Sequence, residues 1–190
     1  MVETDNIMSE VELIVNQLHG KIPIDVMYLP RPAVKYSGCY PKFFEKHLPR
    51  LLETNEYVHF FAGKAETGFR IDINKEVNPN LIANVESLDM IESESFQGGM
   101  ADPPYNEKFA TDLYKCDYPQ WSKWTKELVR IVKPNGLIGI MQNYIVPRLP
   151  DCEYERIVII LLRIKQYPKI VTIQRKSFSH NHSNVIGDKK

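Results

Sequence analysis

Two adjacent prolines, Pro103 and Pro104, stand one residue after the short run Phe96-Gln97-Gly98-Gly99-Met100-Ala101. Neither ring can donate to a sheet ladder or continue a helix, and each pushes the residue before it toward extended backbone. The run therefore reads as a strand that ends abruptly, with Asp102-Pro103-Pro104-Tyr105 as a stiff loop at its mouth. That loop offers a carboxylate, carbonyls with no N–H beside them, and an aromatic face. It is a poor turn and a good socket for a flat group carrying an NH2. An ordinary proline-rich loop can have the same four residues, so the flanking chain must decide between the two readings.

Before this loop the pattern is mostly strands. Residues 57–63, 69–74, 81–85 and 96–101 are apolar or alternating runs that end in small or acidic residues. After it come helical stretches at about 107–114 and 119–133, the second burying Trp121, Trp124, Leu128 and Val132 or Val129. Lys133-Pro134-Asn135-Gly136 is a break, and 137–141 a fifth strand. The β-branched runs 157–164 and 170–173 read as a closing hairpin, although periodicity alone cannot separate the first from a buried helix. Upstream, Ser9 and Glu12 stand at capping-box spacing before an apolar face of Val11, Ile14, Val15 and Leu18, with Gly20 as a stop. Residues 21–32 read as an irregular or short extended connection, and Pro41 suits the start of a helix carrying Phe43, Phe44, His47 and Leu48.

The expected architecture is α/β: a Rossmann-like, doubly wound, mostly parallel sheet ending in an antiparallel hairpin. Ligands of such sheets bind at the carboxyl ends of the strands, where Gly63, Asp72, Asn84 and Asp102 all fall. One domain is expected over 1–176, with an N-terminal helical extension to about residue 55 and a flexible tail over 177–190. The early crossover helices are shortened or missing. Only residues 64–68 and about 75–80 separate the first three strands, whereas parallel neighbours normally need a dozen or more residues to cross. Either an extended segment returns across the sheet, or the second strand is irregular or antiparallel.

Composition narrows the function less than the motif does. Formal net charge is zero, so no global positive field advertises nucleic acid, although a local patch remains open. Cys39, Cys116 and Cys152 are odd in number and lack metal-ligand spacing; each reads as a reduced, small core hydrophobe, with no metal expected. The polar, acidic start is no signal peptide and no apolar run is long enough to span a bilayer. The expectation is a cytoplasmic protein with no membrane partner.

Asp102-Pro103-Pro104-Tyr105 resembles the Asp/Asn-Pro-Pro-Tyr/Phe/Trp motif of S-adenosylmethionine-dependent amino-methyltransferases, which methylate exocyclic amines of adenine or cytosine. The order of elements from about 57 to 176 resembles the class I methyltransferases. The resemblance implies S-adenosylmethionine as cofactor and Asp102, Pro103, Pro104 and Tyr105 as catalytic residues, with Asp102 also among the cofactor-binding ones. Phe60-Phe61-Ala62-Gly63 looks like the first cofactor-binding motif, in which a small residue lets backbone approach the methionine part. Asp72 matches the acid that grips the ribose hydroxyls, and Asn84, with Val85, falls where the adenine is read. Tyr36 and Tyr40 lie in a segment that faintly resembles the Gly-x-Tyr-x-Pro flap closing over the cofactor. DNA or RNA is the implied substrate. The lack of a separate recognition domain suggests a short or unpaired target, low specificity, or a partner subunit or homodimer. Methylation of a protein glutamine or small-molecule amine, and an inactive binding protein of the same fold, are the alternatives.

Overall fold

The computed structural model describes residues 22–29, 40, 43–111, 116–162 and 167–178. The expected helix over 9–20, Tyr36 and the tail beyond 178 lie outside them. The strands are β1 (Ile24–Leu29), β2 (Tyr57–Phe60), β3 (Phe69–Asp72), β4 (Leu81–Ile82), β5 (Phe96–Ala101), β6 (Val132–Gln142), β7 (Cys152–Leu162) and β8 (Lys169–Lys176). They form one sheet in the order β1-β7-β8-β6-β5-β2-β3-β4. Every pairing is parallel except the two that β8 makes, to β6 and to β7. The mostly parallel sheet with an antiparallel closing hairpin is therefore present, and the run expected at 157–164 is strand up to Leu162, where the described residues end, as its β-branched content favours.

The short early connections resolve in favour of the extended return. β3 is parallel to β2, with Val58 opposite Phe69 and Phe60 opposite Ile71. The dozen-residue rule assumes strands of ordinary length. A four-residue strand needs a return of only ~13 Å, and the eight residues 61–68 can span roughly 26–29 Å. The connection is held down along its length. The Glu45 carboxylate accepts from the Glu66 and Thr67 amides and the Thr67 hydroxyl, Arg70 donates to the Ala65 carbonyl, and the Tyr57 hydroxyl donates to Thr67. Gly68, at φ 69°, ends it flat on Tyr57 and His59, where a Cβ would come within 2.9 Å of both rings.

Other expectations shift by local causes. Residues 21–32 hold more than a connection: Ile24–Leu29 is a six-residue edge strand parallel to β7, so the N-terminal part is not purely helical. The alternation explains it, since Met27 and Leu29 pack inward while Ile24, Val26 and Tyr28 stay exposed. The helix expected from Pro41 is a 3-10 turn, Glu45–His47, leading into one α-helical turn, α1 (Leu48–Leu51). The break at 133–136 is absorbed inside β6 as a bulge, because Asn135 takes a left-handed conformation and the register slips between Phe96 and Gly98. The strand expected at 81–85 keeps only Leu81–Ile82, and the helix expected at 107–114 is α2 (Glu107–Phe109), with 112–115 outside the described residues.

Each face of the sheet has its own core. Val58, Phe60, Ile71, Ala101 and Ile138 point to one side, under α3 (Trp121–Ile131), which buries Trp124, Leu128, Val129 and Ile131 there. Tyr57, Met100, Leu137, Val158 and Ile160 point to the other, against Tyr40, Phe44, Leu48 and Leu52. Gly99 lets α3 lie close on β5: a Cβ there would meet the Leu128 side chain at 2.7 Å. Among the described residues no helix is long and apolar enough to cross a membrane.

Candidate active site

From the middle of the sheet, β2-β3-β4 runs one way and β5-β6-β8-β7 the other. The order reverses between β2 and β5, and ligands of open α/β sheets bind in the crevice beyond the carboxyl ends at such a reversal. Phe60 ends β2 opposite Ala101, the last residue of β5. The two mouths, Phe61-Ala62-Gly63 and Asp102-Pro103-Pro104-Tyr105, therefore open side by side, joined by the Asp102 amide facing the Phe60 carbonyl at 3.4 Å.

The chain turns sharply at both. Phe61 has a φ of 55°, a conformation that a bulky side chain rarely adopts, and its ring stands edge-on to Trp124 at 5.4 Å. Gly63 follows at φ 51° and its amide donates to Asp72 Oδ2 at 2.8 Å. The other carboxylate oxygen of Asp72 accepts from the Asn74 amide at 2.8 Å. Asp72 thus staples the first two loops together. Each oxygen retains a second acceptor site, enough for a hydroxyl pair. Asn84 uses its side-chain oxygen to accept from the Glu86 amide, an Asx turn that shapes the third loop.

Phe61, Asp72, Asn84 and Val85 line a single pocket of about 210 Å³, and Pro104 lines it from the second mouth. Its far wall is Cys116-Asp117-Tyr118-Pro119-Gln120, tied across by the Gln120 amide donating to Glu86. Sequence reasoning missed that wall, because nothing in a loop's composition says against which strand ends it will lie. Cys116 departs from the expectation of a core thiol: it is half-buried and lines the pocket, whereas Cys152 is core. Ala62 is buried behind the rim.

Tyr40 is not among the lining residues. It is buried against the opposite face of the sheet, its hydroxyl 3.2 Å from His59 Nδ1, because the even-numbered residues of β2 face the core under α3 and His59 faces away. Burial, with the charge of Arg70, pushes His59 down to about 3, so the ring is neutral.

At the second mouth the Tyr105 hydroxyl donates to Asp102 Oδ1 at 2.9 Å. Lys169 sits with its ammonium 3.4 Å from the Tyr105 ring centroid. Desolvation raises Asp102 from 3.8 to about 6, against the opposing pull of Lys169 and of the Tyr105 hydrogen bond. Lys169 had no signal in the sequence. It arrives because β8 is antiparallel, so its first residue lies beside the carboxyl ends of its neighbours, with Lys169 opposite Ile160.

A carboxyl raised on folding has a definite linkage sign. Between 3.8 and about 6 the native state binds the proton more than the unfolded chain does, so this group's contribution to stability is full below the window and lost as pH rises through it. The difference in unfolding free energy between the wild type and Asp102→Asn should accordingly fall with rising pH across that window. Urea titrations at several pH values would show it, and parallel curves would mean that Asp102 is not desolvated.

No family model and no curated protein matches the sequence. Solved structures do match. A chain in the complex between the Haloferax volcanii Trm112 methyltransferase activator and the putative methyltransferase is 12% identical, with a TM-score of 0.51 over 72% of this chain and 90% of that one. MccD protein is 8% identical, with a TM-score of 0.51 over 74% and 100%. TrmN from Thermus thermophilus is 14% identical, with a TM-score of 0.48 over 70% of this chain and 48% of that one, so the chain spans about half of TrmN. At these identities the likeness is one of fold alone: a Rossmann-like, mostly parallel sheet with an antiparallel closing hairpin.

Proposed function

We propose that the protein is an S-adenosylmethionine-dependent N-methyltransferase acting on the exocyclic amine of a nucleobase, adenine first, in DNA or RNA. The observation that carries this reading is that Pro104 of the Asp-Pro-Pro-Tyr loop and Asp72 and Asn84 of the cofactor rim line one pocket at the sheet's reversal point. The lining fits the cofactor: a carboxylate with spare acceptor capacity at Asp72, the amide side chain of Asn84, and the apolar Ile73, Ala83 and Val85 for a ring. When bound, S-adenosylmethionine supplies a methyl group activated on a sulfonium sulfur.

The chain's own residues act on the amine. Its lone pair is delocalised into the ring, which makes it a poor nucleophile. The Asp102 carboxylate and the Pro103 carbonyl accept its N–H bonds, favouring the pyramidal nitrogen whose lone pair is free to attack. Placement and electrostatics supply most of the catalysis. Tyr105 offers a ring for stacking to a base that is unpaired or has left its helix. A partner subunit or a second copy of the chain would supply target recognition.

One observation favours the inactive-binder alternative: both Asp72 oxygens already hold backbone amides. Calorimetry with S-adenosylmethionine and its demethylated product separates the readings, since no binding of either at millimolar concentration would leave a scaffold. Asp72→Ala should weaken binding by about 1–3 kcal/mol, as loss of a charge-assisted acceptor does. An unchanged affinity would mean that the ribose is held elsewhere. Mass spectrometry of nucleosides after incubation of DNA and RNA with labelled cofactor tests the acceptor directly; unlabelled adenine there, with labelled glutamine in peptides from a parallel incubation with protein, would transfer the reading to protein.

A further inference from the structure

Lys169 is placed on an aromatic ring at the mouth of the central crevice. Three groups meet there. Tyr105 donates to Asp102 Oδ1, Lys169 covers the Tyr105 ring, and the Lys169 charge acts on Asp102. The Tyr40 phenol, from the opposite face, is the fourth titratable neighbour; burial first, and then the Asp102 charge, holds it well above its usual range. Lys169 is half-buried, and its desolvation lowers it, so screening between its ammonium and the carboxylate is reduced.

We propose that Lys169 is the positioning residue of this site: its ammonium, seated on Tyr105, holds the Asp102 carboxylate charged and makes the mouth a site for an uncharged amine rather than an alkylammonium. This rests on the methyltransferase reading and narrows its acceptor. A cation–π contact with a partly desolvated lysine fixes the ring whose hydroxyl orients Asp102. The amine acceptor needs Asp102 ionised, because a protonated carboxyl loses acceptor capacity where the N–H must point. An alkyl amine reaches the site at neutral pH as an ammonium with no lone pair, so using it would require both an excess of negative charge and a base to take its proton. Within the cluster at this mouth Asp102 is offset by the Lys169 charge, whereas Asp72, Glu86 and Asp117 line the neighbouring pocket. A ring amine on a nucleobase arrives uncharged with its lone pair in place, so no proton has to leave before attack. The proton shed after methyl transfer comes from a strongly acidic ammonium and passes to Asp102 or to water.

The test uses the full chain and three variants. The Asp102 carboxyl resonance, identified by its absence in Asp102→Asn, is titrated by NMR in the wild type, Lys169→Met and Lys169→Arg. The Lys169→Met midpoint should move up by about one pH unit, and Lys169→Arg should restore it. In the same proteins methyl transfer is followed against pH, with an adenine-containing single-stranded oligonucleotide and with spermidine as acceptors. Lys169→Met should lose about fivefold at pH 6 and recover toward the wild-type rate at high pH, following the charged fraction of Asp102. The wild type should leave spermidine unmodified. An unmoved carboxyl midpoint in Lys169→Met, or preferential transfer to spermidine, overturns the proposal. If the midpoint moves as expected but the wild type modifies neither acceptor, the positioning role stands and the methyltransferase reading fails.

Discussion

Asp102→Ala is expected to abolish methyl transfer while leaving the affinity for S-adenosylmethionine within about tenfold, roughly 1.4 kcal/mol. The separation follows from where the groups stand. Asp72 lines the pocket from the end of β3 and Asn84 and Val85 from the loop after β4, and Asp102 follows β5 at the neighbouring mouth. The structure adds a second expectation. Asp102 is raised to about 6, so at neutral pH its ionised form is held against the preference of its surroundings, and removing it should leave the melting temperature unchanged or higher. A turn-capping aspartate would behave in the opposite way, with stability lost and activity per folded molecule intact. Tyr105→Ala should reduce transfer less completely, by lost stacking of about 1–3 kcal/mol. Tyr105→Phe keeps the ring but loses the 2.9 Å hydrogen bond to Asp102, and should keep much of the rate with a more basic carboxyl. Melting temperature, cofactor binding and labelled-methyl transfer measured on one Asp102→Ala sample decide the matter; a folded, cofactor-binding, fully active variant cannot be reconciled with the catalytic role.

Trp124→Ala should destabilise the protein by about 3–5 kcal/mol, the range for a large aromatic removed from a packed core. The ring is 1% exposed and meets Trp121 at 4.9 Å and Phe61 at 5.4 Å, both edge-on. Its loss opens a cavity directly under the strained turn at Phe61, so the effect should reach the pocket rim as well as the core. Trp121, only half-buried at the start of α3, should cost less on the same substitution. Urea denaturation gives the values. A near-neutral Trp124→Ala would mean that α3 is held on the sheet by something other than this cluster.

The sequence determined the elements whose pattern is local. Pro103 and Pro104 end β5 at Ala101, because the missing N–H groups act within the chain itself. The β-branched runs fix β7 and β8, and the helical spacing of Trp124, Leu128 and Ile131 fixes the buried side of α3. Since ligands of a doubly wound sheet bind at strand ends, Gly63, Asp72, Asn84 and Asp102 were legible as one edge before any coordinates. Sequence spacing misled where a rule assumes ordinary lengths: strands of four residues permit a parallel return in eight, and that depends on how many residues the sheet accepts. Only the tertiary structure decided which side of β2 Tyr40 would meet, which loop would wall the pocket at 116–120, and that Lys169 would reach Tyr105. Those contacts join residues far apart in the chain, through strand order and the reversed direction of β8, and neither propensity nor periodicity encodes a partner across a sheet.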